Sequence, residues 1–365
     1  MEGEFYKEFV KFNEDREKKG LSPLSRRDFL RATGIAAVGL SLPLRLPRMF
    51  PAPSIDPPAG DTRVGIVSKN DIEDAVMTAI ELGGGLSEIN YGDTVVIKPN
   101  ITFKANPEFG DIRIVTSPDV LRAVIRAAKD RTDNTNITVA DACAFGLSTK
   151  EAAQSVGLYD VCMEEKVNFV AWEEGKYVSF RDKNFLHLRK SREIPASLSS
   201  FDHFINVPIL KNHEIPPNNN ANYTCCMKNF VGVLKPANRS DIHTWDLGEK
   251  VAEINLCRPN ITMNIVDALT IILSGGPASP NMKIADSGLI LASKDRVACD
   301  SLALAVLKYH ASEQGINEDY VKQSVWEQAQ IKRASSLGLG RKDPDRIHIT
   351  SDGVDNIDNI LAYWN

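Results

Sequence analysis

Thr94-Val95-Val96-Ile97-Lys98-Pro99-Asn100 is the stretch on which the fold turns. Three apolar β-branched residues in succession, Val95 to Ile97, predict a strand buried on both faces, as in a parallel sheet covered by helices. Upstream, Arg63-Val64-Gly65-Ile66-Val67 predicts another strand. Ile72 to Leu82 then places apolar residues at helical spacing until Gly83-Gly84-Gly85 stops them. Downstream, Ser117-Pro118 opens a helix running to Ala128, with Ser at the N-cap and Pro at the first helical position. Asn136 to Val139 is the next strand, and it closes on Asp141.

This β-α-β-α-β rhythm predicts an α/β fold of mostly parallel sheets flanked by helices. A second set of elements follows: strands at His203 to Leu210, Ile261 to Val266 and Gly288 to Ala292, a helix from Asp295 to His310, and a final strand at Arg346 to Thr350. Val167 to Lys190 is polar-interrupted and reads as an antiparallel insertion or edge. Ser293 is placed to cap the helix that follows it, and Asp295 suits that helix's first turn. The expected organisation is two α/β lobes, 62–200 and 201–365, with a cleft between them, preceded by a charged extension (1–24), a signal segment (25–50) and a Pro-rich linker (51–61).

With 365 residues, 43% hydrophobic and 25% charged, the composition is that of a globular protein. A net charge of −5 leaves no electrostatic footprint for nucleic acid. No apolar run reaches the ~20 residues that span a bilayer as a helix, so no integral membrane domain is expected. Ser25-Arg26-Arg27-Asp28-Phe29-Leu30-Arg31, followed by a short apolar segment through Leu44, resembles a twin-arginine export signal. The translocase of that pathway is then a partner, and the expected location is the periplasm or another extracytoplasmic space, with the signal cleaved or kept as an anchor. Because substrates of that route fold before export, a cofactor inserted beforehand is an expectation.

In open α/β sheets ligands collect outside the carboxyl ends of the strands. Lys98 and Asn100, Asp141, the run Lys211-Asn212-His213, and Asp267 all stand at expected strand ends. Thr224-Cys225-Cys226-Met227-Lys228-Asn229 adds the densest polar stretch. Lys98, Lys211 and Lys228 supply compact charges for an anion. Asn100, Asn212, Asn229, Thr224, Asp141 and Asp267 complete the expected binding set. His213 is the candidate acid or base, since imidazole titrates near neutrality, and Lys228 is its candidate partner. The six cysteines contain no CxxC pair, which gives no motif for an iron–sulfur cluster; Cys225, Cys226 and His243 are the candidate ligands for a metal. Walker, GxSxG, HExxH and GxGxxG motifs are all missing.

The chain resembles the domain-of-unknown-function family 362. The pieces that carry this are Val95 to Asn100, Asn206 to His213, Thr224 to Gly232, Ile265-Val266-Asp267-Ala268, and Gly288 to Asp300. Many members carry ferredoxin-type iron–sulfur modules, so the resemblance implies redox chemistry, although this sequence lacks the cysteine run of those modules. A more distant similarity, to the lactate racemase catalytic domain, implies His213 as acid/base and Lys228 as the group anchoring cofactor or substrate. The expected function is an exported enzyme acting on a small anionic, carboxylate-type metabolite by acid/base or redox chemistry. The alternatives are a metal or iron–sulfur redox protein and a non-catalytic solute-binding protein.

Overall fold

The computed structural model describes residues 60–104, 114–213, 222–276 and 281–364. The expected extension, twin-arginine segment and nearly all of the linker lie outside the described residues. Ten strands join one mixed, mostly parallel sheet: β1 (Thr62–Val67), β2 (Val95–Pro99), β3 (Ile137–Asp141), β4 (Asn168–Ala171), β7 (His203–Val207), β8 (Ile209–Asn212), β9 (Tyr223–Thr224), β10 (Met263–Ser274), β11 (Lys283–Ser293) and β12 (Ile347–Asp352). The order is β12-β1-β11-β10-β7-β2-β3-β4, and β8 pairs with β10 and β9. Strands from both sides of residue 200 thus share this sheet, with β2 of the first half paired along its length to β7 of the second. β5 (Tyr177–Phe180) and β6 (Arg192–Pro195) form a separate antiparallel pair, β6 lying just past the expected insertion, while β4 at the start of that insertion joins the main sheet as an edge strand parallel to β3.

The alternation of side chains along each strand divides the interior into two cores. Val96, Ala140, Phe204, Val266 and Leu291 point into one; Val95, Ile97, Ile137, Val139, Ile205, Ile265 and Ile290 point into the other. The second core is covered by α1 (Ile72–Leu82), α2 (Pro118–Lys129), α3 (Thr149–Ser155) and α4 (Leu158–Glu164). The first is covered by α5 (Cys226–Asn229), α6 (Leu247–Ile254), the long α7 (Arg296–Glu313), α8 (Asp319–Lys322), α9 (Ala329–Ser336) and α10 (Ile357–Leu361). This two-sided cover is why β2 is buried at all five positions and why its sequence is continuously apolar around Val95 to Ile97. No described helix is long and apolar enough to cross a membrane.

Several expectations are corrected. The stretch His203 to Leu210 is two strands, because Pro208 has no N–H to give to the ladder; its carbonyl instead accepts from Asp267 N at 2.8 Å. β10 runs on to Ser274, so Asp267 lies inside a strand and does not end one. β11 begins at Lys283, five residues before the expected start, because its first half is partly exposed and its polar residues hide the pattern. Asp295, not Ser293, caps α7: its Oδ1 accepts from Val297 N at 2.8 Å and Ala298 N at 2.9 Å. The Ser293 hydroxyl donates to Arg63 O across the sheet at 2.6 Å.

Candidate functional site

The connections reverse direction between β2 and β7: β2 leads through α2 to β3 on one side, while β7 lies on the other. Such a switch leaves a crevice at the carboxyl ends of the strands. Lys98 and Asn206 are register partners at this switch. The short helix α5 lies across it and sets Asn229 over both strands. Asn229 Nδ2 donates to Asn206 Oδ1 at 2.9 Å and to Lys98 O at 3.3 Å; its Oδ1 accepts from Asn100 Nδ2 at 3.0 Å and Lys98 Nζ at 3.3 Å. One carboxamide therefore ties β2, β7 and α5 together.

Three buried amines meet around this knot. Lys98 Nζ pairs with Asp141 Oδ1 at 2.8 Å, both side chains being almost wholly buried. Asp141 Oδ2 accepts from Ile101 N at 2.8 Å, and its Oδ1 accepts from Ala142 N at 2.9 Å. Among the described residues Lys211 Nζ donates to neutral oxygens, Ile114 O at 2.7 Å and Asn100 Oδ1 at 3.2 Å. Lys228 Nζ lies 2.9 Å from His213 Nε2. Among the described residues Asp141 is the carboxylate paired with any of the three, so the cluster holds more potential positive charge than negative.

That imbalance governs the titration. Desolvation pulls the Lys211 amine down to about 7, with Asp141 opposing it and Lys98 adding to it. Desolvation, then repulsion from Lys211, brings Lys228 to about 7 as well. His213 falls well below its ordinary range, first by burial and then through Lys228, and is a neutral imidazole. His213 Nδ1 is buried without a hydrogen-bond partner among the described residues. His243 stacks on His213 with ring centroids 6.1 Å apart, and its Nδ1 donates to Arg239 O at 2.8 Å. Burial holds His243 at about 4.

The structure thus brings together Lys98, Asn100, Asp141, Lys211, His213, Lys228 and Asn229, with Thr224 opposite Lys211 in the β8–β9 ladder. Two expected residues go elsewhere. Asn212 donates from Nδ2 to Glu318 Oε2 at 2.8 Å and accepts from Gly276 N at 3.1 Å, which ties β8 to the start of α8. Asp267 accepts from Ser117 N at 2.6 Å and so holds the start of α2. Cys225 and Cys226 point away from the imidazoles, into the first hydrophobic core, and their carboxylate neighbour is Asp300. His243 belongs to no group of three potential metal ligands among the described residues.

Three residues that build this cluster escaped the sequence reading. Asn206 interrupts an otherwise apolar strand, and that interruption was the available signal. Gly232 passes so close that an added Cβ would sit 2.5 Å from Asp141 Oδ1 and 2.7 Å from Lys98 Nζ. Arg239 donates to Ala142 O, Cys143 O, Gly232 O and Leu234 O, clamping the 232–239 loop onto the end of β3. Neither of the last two carries a local sequence signature.

A profile for the family described as "Domain of unknown function (DUF362)" matches residues 95–305. Among solved structures, the lactate racemase apoprotein from Thermoanaerobacterium thermosaccharolyticum aligns over 85% of this chain and 88% of its own, with 12% identity and a TM-score of 0.35. No curated protein matches the chain. The profile spans more than half of the sequence, and the chain belongs to the DUF362 family.

Proposed function

We propose that this DUF362 protein binds a small carboxylate-bearing metabolite at the Lys211–Lys228–His213 cluster and transfers a proton on it. The observation that carries this is the 2.9 Å contact between Lys228 Nζ and His213 Nε2, beside an Nδ1 without a partner among the described residues. An imidazole held by an amine on one nitrogen has its other nitrogen available to a ligand. Lys228 near 7 exists as both amine and ammonium at neutral pH. As amine it accepts the Nε2 proton while Nδ1 takes one from the ligand; as ammonium it runs the same relay in reverse. The proton thus crosses the ring without a lasting imidazolium, the state that burial disfavours. Lys211, with neutral partners, supplies the charge for the carboxylate.

The Lys98–Asp141 pair and Asn229 act as the frame that holds the amines in place. Arg26 and Arg27 support export through the twin-arginine translocase, and Arg26→Lys with Arg27→Lys tests it: the variant should stay in the cytoplasm. For the chemistry, small carboxylates bearing a C–H next to the carboxyl are incubated with the protein in D2O, and exchange of that hydrogen is followed by NMR. Exchange that disappears in His213→Gln and Lys228→Met supports the proposal. Binding without exchange instead assigns the site to a solute-binding protein, and neither binding nor exchange refutes both readings.

A further inference from the structure

On the other side of α5, three potential ligand side chains converge inside the protein and take no part in the chemistry above. Cys225 Sγ and Cys226 Sγ are 3.8 Å apart. Their sulfurs and a carboxylate oxygen of Asp300 all lie within 4.8 Å of one another, and all three residues are fully buried. A disulfide would need the sulfurs at ~2.05 Å. In a tetrahedral site with metal–sulfur bonds of ~2.3 Å, two thiolates stand ~3.8 Å apart, which is the separation seen here.

Gln330 adjoins the three. Gln330 Nε2 donates to Asp300 Oδ2 at 3.2 Å, and its buried Oε1 has no hydrogen-bond partner among the described residues; the buried Tyr223 hydroxyl lies against Gln330. Buried oxygens are rarely left in this state without an unseen partner. The charge also fits. Two thiolates and one carboxylate around a divalent cation leave one net negative charge, and the buried Arg296 guanidinium, which acts on both Cys226 and Asp300, offsets it. Arg296 otherwise donates to neutral oxygens of Asn255, Arg258 and Pro259.

We infer that Cys225, Cys226 and Asp300, completed by Gln330 or Tyr223, form a structural site for a zinc-class divalent cation. Two thiolates with one carboxylate match zinc, and a closed, buried site is of the structural kind. Binding releases the two thiol protons, with no change of oxidation state. Cys226 begins α5, so the cation would anchor the helix that carries Lys228 and Asn229. Because no described surface opens onto the cluster, the metal enters as the chain folds. The inference does not depend on the proposed proton transfer.

The test uses the full chain, produced in zinc-supplemented and, separately, cobalt-supplemented medium and purified without chelators. About one equivalent of zinc per chain is expected, and the cobalt form should show thiolate-to-cobalt charge transfer with the visible bands of tetrahedral Co(II). Cys225→Ser and Cys226→Ser should each lose the metal and the charge-transfer band. Metal-free wild-type protein with six titratable thiols on unfolding overturns the inference, as does a four-thiol count, which means a Cys225–Cys226 disulfide. Bound cobalt lacking thiolate charge transfer places the metal elsewhere and also overturns it. The wild-type spectra decide the matter even where a serine variant fails to fold.

Discussion

Lys228 Nζ stands 2.9 Å from His213 Nε2 inside the protein, two bases facing each other with no acid between them. Desolvation disfavours charge on either, and each, once charged, disfavours charge on the other. The pair therefore takes up at most one extra proton in the neutral range, on Lys228. Nothing in the packing needs this arrangement, since an apolar pair of similar volume would fill the space without burying two titratable groups. This buried pair is the observation on which the proposed ligand site rests.

Removing the amine should move the imidazole. In Lys228→Met, the His213 titration followed by imidazole NMR shifts upward, because the ammonium no longer opposes it. It stays below 6.5, because burial is the larger cause. An unchanged His213 titration would mean that the two side chains do not communicate.

Stability should rise with pH above neutrality. Lys211 and Lys228 sit at about 7 when folded against an ordinary 10.5, so between those values the unfolded chain binds protons that the folded chain does not. Each lysine then adds a slope of about 1.4 kcal/mol per pH unit, from just above 7 toward 10.5. Below 7 both states are protonated and this contribution is flat. Urea melts from pH 7 to 9.5 should show a shallower slope for Lys228→Met than for wild type.

Asp141→Asn leaves the Lys98 amine buried without its counter-charge and should cost about 3–5 kcal/mol in denaturant melts. Gly232→Ala should disturb the same pair from the other side, at a cost of about 1–3 kcal/mol, by forcing a methyl group against Asp141 and Lys98. If Gly232→Ala matches wild type in stability, the loop is not packed as described.

Asp295→Ala should destabilise by about 2 kcal/mol, the upper end for a lost cap. The carboxylate also accepts from Arg341 N at 2.8 Å, so the change frees the C-terminal segment as well as α7. Ser293→Ala should cost less, since it keeps the Asp295 carboxylate cap and removes only a hydroxyl that donates to Arg63 O and accepts from Asp295 N at 3.1 Å.

The sequence carried the parallel part of the fold because that part is buried on both faces, and burial leaves a readable run at Val95 to Ile97. It carried α1 to its last residue because Asp71 caps one end and Gly83 closes the other. The first half of β11 was illegible, being partly exposed and polar. Lys98, Asp141, Lys211 and His213 stood out as candidates because polar groups at the ends of apolar strands are conspicuous, and Lys228 because it falls in a dense polar stretch. Asp267 and Asn212 look the same in sequence, and only three-dimensional placement shows that they brace α2 and α8. Asp300 joins Cys225 and Cys226 from a helix more than seventy residues away, a proximity with no local trace.

The most direct test of the anion site is thermal stabilisation by a panel of small carboxylates at pH 6 and at pH 9. Lys211 must be protonated to hold the carboxylate, and protonated Lys228 adds to the attraction, so at least one carboxylate should raise the melting temperature at pH 6, with the shift largely lost at pH 9. The shift should also vanish in the Lys211→Met, Lys228→Met double variant. A shift of equal size at both pH values, or one that survives in the double variant, would contradict the account.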